Sequence, residues 1–477
     1  MTEREFIVVG SGAGGACVAG RLAEEGAGVL LIERGGPASP QKDAMEAVSR
    51  YYAEGGFSSA LGNALLPIPT GVAVGGSTTI NSGTCLRPPA GMLGSWESGS
   101  GGAFRAVEFS GFVEEAWKKL KVKTAPEGTL SRSSRLILEG FHRMGHAAAP
   151  LDRCEEGCTG AGRCCFVCPT GGKMTSKKAF LDPLAGNEAL ALRARTELTS
   201  IEPPDRSGGV VRVRVRSLET GESEELRCRT LVLSAGALHT PYFLRKFKLG
   251  RWREAGSGLS VHPASKLFGL FDEPVRGWEG VPQGVGLEDP QDGAIRYEGV
   301  YTPPELAAIT LPLEGLRLKR WMDAYERVAT FGFMIQDESR GSVRYPFGST
   351  PFIRYDLGAR DLSRMVRAAR FVAEAFFAAG ARKVVLPFNI PENEPDSLEA
   401  LRRADLSTVS AGRMQMMAFH PLGTCAAGRV VDWDLGVCPG VFICDGSVVP
   451  QSLGVNPQMT IYAFALRLAR RLLGSRA

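Results

Sequence analysis

The first 36 residues constrain the fold of this chain more than any other segment, because they contain a complete strand, turn, helix and strand. The apolar run EFIVVG predicts a strand, SGAGGACVAGRLAEEGA a glycine-rich turn followed by a helix, and GVLLIERGG a second strand. This order predicts a βαβ unit, in which two parallel strands are joined by a helix that packs on the sheet.

Three glycines in the turn form the pattern G-x-G-x-x-G, with Gly10, Gly12 and Gly15 between the strand and the helix. Their missing side chains permit a tight turn and the close approach of a pyrophosphate, and the helix N-terminus attracts phosphates. Glu33 ends the second strand, 23 residues after Gly10, where a carboxylate accepts hydrogen bonds from ribose hydroxyls. The unit predicts a dinucleotide site, and this fingerprint alone leaves NAD and FAD both open.

The composition is that of a folded globular protein, since 44% of the 477 residues are apolar and 22% are charged. The net charge of +5 comes mainly from scattered arginines, so no nucleic-acid partner is expected. No run of residues reaches the roughly 20 apolar positions that cross a bilayer. The first strand begins too early to leave room for a signal peptide, and the expected location is therefore the cytoplasm.

Five of the eleven cysteines fall in the segment CEEGCTGAGRCCFVCP, namely Cys154, Cys158, Cys164, Cys165 and Cys168. In a cytoplasmic protein such a group indicates metal or redox chemistry before disulfides. Thiolates in a compact loop that ends in Cys-Pro are typical of iron–sulfur ligation, although the spacing departs from C-x2-C-x2-C-x3-C-P. An iron–sulfur cluster, a zinc ion, and free or disulfide-bonded thiols that merely pack the loop all stay open.

The segment NPQMTIYAFALRLARRLL predicts a helix, with Asn456 as its N-cap and Pro457 at its first position. The arginines near its C-terminal end are favourable there, because that end is the negative pole of the helix dipole. Residues 361–380 predict an amphipathic helix that ends at Gly380, and residues 210–234 a hairpin that leads into a buried strand.

Several motifs together resemble the glucose-methanol-choline (GMC) family of FAD-dependent oxidoreductases. They occur in the family's order: VVGSGAGGACVAGRLAEEG, GGSTTINSGTCLR, LVLSAGALHTP, HPLGTC, and VCPGVFICDGSVVPQSLGVNPQMTIYAFALRLA. The segment GLSVHPASKLFGLFDE and the cysteine-rich loop are also similar to long-chain alcohol oxidases and cholesterol-oxidase-like members.

The resemblance implies an α/β fold with two domains. A discontinuous, Rossmann-like FAD-binding domain is expected in residues 1–85, 175–245 and 411–477. A substrate-binding domain with an antiparallel sheet and helices is expected in residues 86–174 and 246–410.

The resemblance also implies roles for individual residues. Gly10, Gly12, Gly15 and Glu33 would hold the ADP half of FAD, and Gly75, Gly76, Ser77 and Asn81 would line the flavin and its phosphates. Ala235 and Gly236 would pack near the adenosine, Asp445 and Gly446 would meet the ribityl chain, and Pro457 completes the cofactor-binding set. His420 and Asn456 match the family's pair that faces the flavin ring.

The chemistry of alcohol oxidation fits this pair. A neutral imidazole, with an ordinary pKa of about 6.5, can accept the hydroxyl proton while flavin N5 accepts the hydride. Asn456 can hydrogen-bond the same hydroxyl group. We therefore expect His420 to be the general base, His262 to be structural or pocket-lining, and His239 to be structural.

The predicted function is the FAD-dependent oxidation of an alcohol, a hydrophobic primary or secondary one, to the aldehyde or ketone. The sequence leaves O2, a quinone and a protein carrier open as electron acceptors. One alternative is a flavin and iron–sulfur electron-transfer or redox-sensing protein without an alcohol substrate. Another is a lyase or photoenzyme on the same scaffold, which the presence of both His420 and Asn456 disfavours.

Overall fold

The structure is a computed structural model that describes residues 3–204 and 209–475. Within these ranges the α-helices are α1 (Ala13–Glu24), α2 (Ala44–Tyr51), α3 (Ala90–Gly99), α4 (Ala106–Lys119), α5 (Arg132–Arg143), α6 (Thr240–Phe247), α7 (Pro304–Thr310), α8 (Gly315–Asp323), α9 (Ala359–Ala378), α10 (Leu398–Arg403) and α11 (Gln458–Gly474). No helix in this part of the chain is long and apolar enough to cross a membrane.

The strands of the same ranges form three main sheets and one small ribbon. They are β1 (Glu3–Val9), β2 (Val29–Ile32), β3 (Ser59–Leu61), β4 (Leu66–Pro67), β5 (Val122–Thr124), β6 (Ala149–Pro150), β7 (Asp152–Cys154), β8 (Leu190–Arg193), β9 (Thr196–Glu202), β10 (Val211–Ser217), β11 (Ser223–Leu233), β12 (Ser257–Leu259), β13 (Pro263–Leu270), β14 (Val285–Glu288), β15 (Ile295–Glu298), β16 (Val328–Ile335), β17 (Gly341–Phe347), β18 (Thr350–Arg354), β19 (Lys383–Val385), β20 (Met417–Ala418), β21 (Gly436–Cys438) and β22 (Val441–Ile443).

The first sheet contains the predicted βαβ unit. Its central strands lie in the order β22-β11-β1-β2-β8 and run parallel, while β9, β10 and β21 add antiparallel strands. The run VLLI of β2 is buried along its whole length, as expected for a parallel strand covered on both faces. Helices α1 and α11 pack against each other on this sheet. The Rossmann-like part of the predicted fold is confirmed.

The second and third sheets form the other half of the molecule. One has the order β19-β13-β16-β15-β14-β6, with β20 paired to β13, and all its neighbours are antiparallel. Helices α5 and α9 cover it. The other sheet has the order β12-β17-β18-β3-β4. An antiparallel sheet flanked by helices is the predicted architecture of the substrate-binding part.

The amphipathic helix predicted at residues 361–380 is α9, which begins two residues earlier and ends at Ala378. Its face formed by Met365, Val372 and Phe376 is fully buried. Burial of each such side chain contributes roughly 1.5–3 kcal/mol. Gly380 follows the helix with φ +99°, a left-handed conformation that only glycine adopts without strain. The hairpin predicted at 210–234 is β10 paired with β11, and β11 continues directly into the buried strand.

The domain boundaries predicted from the resemblance differ from the observed packing in two places. Helices α3 and α4, predicted in the substrate-binding part, bury Trp96 and Phe109 in the core that surrounds the first sheet. Strands β3 and β4, predicted in the FAD-binding part, join another sheet instead, in which β3 pairs with β18 and β4 pairs with β3. Both differences arise because the partners lie far away in the sequence, where local composition carries no signal.

Candidate active site

The predicted dinucleotide turn follows β1 and is shaped by its glycines. Gly10 has φ +99°, and a Cβ on it would lie 2.2 Å from the carbonyl oxygen of Ser234. A Cβ on Gly15 would lie 1.9 Å from the carbonyl oxygen of Gly10. A Cβ on Gly12, in contrast, would meet no described atom within 4 Å. Two glycines are therefore needed by the turn itself, and the third leaves open space at the N-terminus of α1.

Glu33 follows β2 and is buried beside the turn. Its Oε2 atom accepts hydrogen bonds from the Ser11 backbone N–H at 2.8 Å and from the Ser11 hydroxyl, and its Oε1 accepts from the Gly35 N–H at 2.7 Å. Burial raises the pKa of this carboxyl group, and the three donors oppose that shift. The carboxylate thus shapes the loop, and its remaining lone pairs are free to accept ribose hydroxyls.

Asp445 connects the carboxyl ends of two neighbouring strands, β11 and β22. Its Oδ2 atom accepts from the Gly236 N–H at 2.9 Å and from the Thr240 hydroxyl at 2.5 Å, and its Oδ1 accepts from the Ser447 N–H at 2.8 Å. Gly446 packs closely against the segment that contains Pro421, because a Cβ on Gly446 would be 3.0 Å from the carbonyl oxygen of Pro421. Ala235, Gly236, Asp445 and Gly446, four residues predicted to bind the cofactor, therefore come together.

The glycine-rich loop at residues 75–81 lies at the same carboxyl edge of the first sheet. Gly76 touches the first turn, since a Cβ on it would lie 2.7 Å from Gly12 Cα, and Gly75 donates its N–H to the Ser11 hydroxyl at 3.0 Å. Ser77 accepts a hydrogen bond from the Gly71 N–H. Asn81 donates to Gln458 Oε1 at 3.0 Å, at the start of α11, while its own Oδ1 is buried without a partner in the described residues.

His420 is paired with His262, and the contact fixes where the protons lie. The Nδ1 atoms of the two rings are 3.1 Å apart. His262 Nε2 accepts the backbone N–H groups of Leu453 and Gly454, at 2.9 and 3.0 Å, so it carries no proton. Neutral His262 then carries its proton on Nδ1 and donates it to His420 Nδ1. Neutral His420 consequently carries its proton on Nε2.

The two imidazoles also stay uncharged. Burial lowers the pKa of His262 to about 3, and burial and the neighbouring His262 lower the pKa of His420 well below its ordinary value. A second proton on His420 would have to sit on Nδ1, against the proton of His262. In this arrangement Nε2–H of neutral His420 is a hydrogen-bond donor, and the expectation that His420 is the general base stays a prediction.

Asn456 contacts a carboxylate that the sequence reasoning missed. Its Nδ2 donates to Glu298 Oε1 at 2.9 Å, and both residues are buried. Asn456 Oδ1 and Glu298 Oε2 have no partner among the residues described. Burial raises the pKa of Glu298, whereas Arg296 and the side-chain amides of Asn456 and Gln283 oppose this shift. Glu298 lies in the run IRYE of β15, whose pattern is that of any strand, so no sequence signal marks it.

The start of α11 differs by one residue from the prediction. Pro457, rather than Asn456, is the N-cap, and no side chain caps the helix. Capping by Asn456 would have used its oxygen, so its observed position leaves Oδ1 available. Three buried oxygens therefore lack a hydrogen-bond partner among the described residues: Asn81 Oδ1, Asn456 Oδ1 and Glu298 Oε2. Together with the open space at Gly12, they fit a long cofactor that has a phosphate-bearing end and a polar ring. They also fit a substrate that carries a hydroxyl group.

The cysteine-rich loop shows neither of the metal sites that the sequence left open beside free thiols. In residues 3–204 and 209–475 no three His, Cys, Asp or Glu side chains are grouped to hold a metal, and all five cysteines of the loop are free. The iron–sulfur and zinc interpretations are therefore not supported. Buried Lys173 instead connects this loop to the glycine-rich loop, since its Nζ donates to the carbonyl oxygens of Thr79, Asn81 and Cys164 at 2.7–2.8 Å.

His239 is the N-cap of α6, and burial lowers its pKa to about 4. A glycine-rich turn at the carboxyl edge of a parallel sheet is the feature of a dinucleotide-binding α/β protein. The chain belongs to the GMC oxidoreductase family. The family's N-terminal model matches residues 48–264 and its C-terminal model residues 337–465. It is accordingly an FAD-dependent oxidoreductase that acts on CH–OH groups.

Individual relatives agree with this assignment. A GMC-type oxidoreductase of Mycobacterium tuberculosis is 34% identical over 98% of this chain and 76% of the relative. A long-chain-alcohol oxidase of Arabidopsis thaliana is 23% identical over 98% of this chain and 67% of the relative. Among solved structures, formate oxidase of Aspergillus oryzae superposes with a TM-score of 0.75 at 16% identity, covering 99% and 98% of the two chains. Pyridoxine 4-oxidase of Mesorbium loti gives 0.71 at 18%, covering 98% and 99%.

Proposed function

We propose that this protein oxidises the hydroxyl group of an alcohol to an aldehyde or ketone with bound FAD. The observation that carries the proposal is the arrangement of two side-chain pairs around the single segment 453–456: His262, which contacts half-buried His420, accepts from Leu453 and Gly454, and Asn456 contacts buried Glu298. One pair presents a donor and the other an acceptor. An alcohol hydroxyl group requires both, because its oxygen accepts one hydrogen bond while its proton is donated to another group.

The residues that would hold FAD are those of the glycine cradle and the loops around it. Gly10, Gly12, Gly15 and Glu33 would hold the ADP part, and Ala235 and Gly236 would lie near the adenosine. Gly75, Gly76, Ser77 and Asn81, with Asp445, Gly446 and Pro457, would surround the rest. When bound, FAD supplies the hydride acceptor that no amino-acid side chain can supply.

His420 holds the substrate oxygen through Nε2–H. Since Nδ1 is occupied by the proton of His262, the ring has a fixed tautomer and a fixed direction. A neutral donor aimed at the oxygen orients the carbinol carbon and stabilises the negative charge that grows as the proton leaves. This role replaces the general-base role that the sequence predicted.

Glu298 receives the hydroxyl proton. Its Oε2 is one of the two unpaired acceptors of these pairs, beside Asn456 Oδ1, and its Oε1 is held by Asn456 Nδ2 at 2.9 Å. A carboxylate in a buried site is a stronger base than in water, since burial raises its pKa. Asn456 therefore acts on the substrate in two ways: it orients Glu298, and its free Oδ1 can accept a second substrate hydrogen bond.

The experiment is an anaerobic titration of the yellow, FAD-loaded protein with a panel of primary and secondary alcohols. Loss of the flavin band near 450 nm on addition of an alcohol, with formation of the carbonyl compound, is the expected result. No bleaching with any alcohol would refute the proposal. Re-oxidation of the bleached protein by O2, by a quinone or by a protein carrier then identifies the electron acceptor.

A further inference from the structure

Asp337 is a buried carboxylate that connects the chain segments on both sides of His262. It follows β16 by two residues, and its side chain is buried. Its Oδ2 atom accepts the Val261 backbone N–H at 3.1 Å, and its Oδ1 accepts the His262 backbone N–H at 3.2 Å. Two hydroxyl groups also donate to it, Ser452 to Oδ1 at 2.6 Å and Tyr355 to Oδ2 at 2.9 Å. Each carboxylate oxygen is thus held by one backbone group and one hydroxyl group.

These contacts form a closed ring with the imidazole of His262. The Ser452 hydroxyl also accepts the backbone N–H of Asp337 at 3.1 Å, so these two residues are joined by two hydrogen bonds. The next two residues along the chain, Leu453 and Gly454, donate their N–H groups to His262 Nε2. Asp337 therefore holds the backbone of His262 against the same segment that holds its ring.

The backbone of His262 needs this support. Its φ of +49° lies in the left-handed region, which residues other than glycine rarely adopt. Such a conformation persists only where the surrounding structure holds it. The consecutive N–H groups of Val261 and His262 both donate to Asp337, which fixes the direction of the chain at this point.

The position of His420 depends on the same stretch of backbone. Ser260 and Leu422 form an antiparallel bridge and exchange N–H···O hydrogen bonds of 3.2 and 2.9 Å. Counting two residues from each partner of this bridge, in opposite directions, brings His262 opposite His420. Their Nδ1 atoms are 3.1 Å apart there. A displacement of His262 would therefore break the contact that fixes the tautomer of His420.

We infer that Asp337 is a positioning residue for the proposed reaction, which holds the backbone of His262 and the segment 452–454 together and thereby keeps the proton of His420 on Nε2. It acts on His420 through His262. A carboxylate suits this role because both of its oxygens accept hydrogen bonds, whereas an amide presents one acceptor and one donor group. The effect on the reaction rate rests on the proposed function, and the effect on the tautomer is measurable without turnover.

The test is Asp337→Asn in the FAD-loaded protein. The amide turns its NH2 group toward one backbone N–H and one hydroxyl group, so the contact with Val261 or with His262 is lost. With 15N-labelled histidine, His420 is expected to populate both tautomers, and the rate of flavin bleaching by an alcohol is expected to fall by about tenfold or more. A native tautomer in this variant, or a native bleaching rate, would overturn the inference. If no alcohol bleaches the native protein, the proposed function fails and the tautomer alone decides the inference.

Asp361→Asn is the matched control. Asp361 and Asp337 are each 1% exposed, and Asp361 accepts the backbone N–H groups of Glu338 and Ser339 and the Ser339 hydroxyl at 2.5–3.1 Å. The substitution should therefore destabilise the fold in a similar way. The tautomer of His420 and the bleaching rate per bound flavin should nevertheless stay native. An equal change of tautomer in both variants would reflect general destabilisation and would argue against a specific role of Asp337.

Ser452→Ala decides the question if Asp337→Asn does not fold. This variant keeps the carboxylate and removes both hydrogen bonds that join Asp337 to the segment after Ser452. His420 is again expected to lose its single tautomer, because the N–H groups of Leu453 and Gly454 are no longer held against His262. An unchanged tautomer in folded Ser452→Ala would be incompatible with the inference.

Discussion

His262 donates its Nδ1 proton to Nδ1 of His420 across 3.1 Å, and the two rings meet edge to face at 75°. The direction of this bond follows from the two backbone N–H groups that occupy His262 Nε2. Because the fold holds His420 in one tautomer, its free nitrogen Nε2 carries a proton and acts as a hydrogen-bond donor. In the proposed function, His420 therefore orients the substrate oxygen and another residue, Glu298, accepts its proton.

The tautomer can be measured directly. With 15N-labelled histidine, we expect His420 to show an unprotonated Nδ1 and a protonated Nε2 in the resting protein across the neutral pH range. The chain has only five histidines, which makes assignment by single substitution practical. In His262→Phe the Nδ1 partner is removed, and His420 is expected to populate both tautomers. A protonated Nδ1 on His420 in the native protein would contradict the assignment.

His420→Ala is expected to retain FAD and to reduce the rate of flavin bleaching by about 100-fold or more, as for loss of one donor to a developing oxyanion. The reason is that in the proposed function Nε2–H would contact the substrate oxygen and not the cofactor-binding residues. His142→Ala serves as the control, because its ring lies on the far α5 helix. Full activity of His420→Ala with bound flavin would remove this residue from the reaction.

Glu298→Gln tests the proton acceptor. Because burial raises the pKa of Glu298, the bleaching rate of the native enzyme should increase with pH through a value above the ordinary glutamate pKa. Arg296, Asn456 and Gln283 face this carboxyl group and stay in place in the variant. The variant is expected to bleach at least about 100-fold more slowly, with no such pH step. An unchanged pH profile in Glu298→Gln would assign the proton to another group.

The same shift predicts a change in stability. A carboxyl group whose pKa is raised on folding stabilises the fold while it is protonated, and this contribution is lost as the pH rises through the raised value. The free energy of unfolding of the native protein should therefore fall in that range, relative to Glu298→Gln. Urea denaturation of both proteins at a series of pH values measures it, and parallel curves would be inconsistent with a raised pKa.

Gly12→Ala and Gly10→Ala separate cofactor binding from folding. The added Cβ at position 12 meets no described protein atom within 4 Å, so Gly12→Ala should change the stability of the apoprotein by less than about 1 kcal/mol. FAD retention should nevertheless be lost, because the methyl group occupies the space next to the turn. Gly10→Ala would place Cβ 2.2 Å from Ser234 O and should destabilise the apoprotein as well. Gly111→Ala, with open space on α4, is the control.

How much of the site the sequence predicts depends on whether a residue's partners are local. The turn at Gly10, Gly12 and Gly15 is defined by its own strand and helix, so its pattern is readable directly. Glu298 and His262 gain their roles from segments more than 150 positions away, through Asn456 and His420. Nothing in IRYE or SVHP distinguishes such contacts from ordinary burial. The cysteine-rich loop shows a related limit of the sequence pattern. Its thiols are close together in the sequence, but the fold does not group them around one point where a metal could bind.

The pairing of β3 with β18 joins Ala60 to Ile353, nearly three hundred residues later in the chain. Contacts of such long range slow folding, because the loop between them must close before they contribute stability. An emerging polypeptide cannot complete this sheet until most of its length is available. Expression of either half alone should therefore give an unstable product with an unprotected strand edge, and limited proteolysis of the intact protein should not release a separately folded substrate-binding fragment.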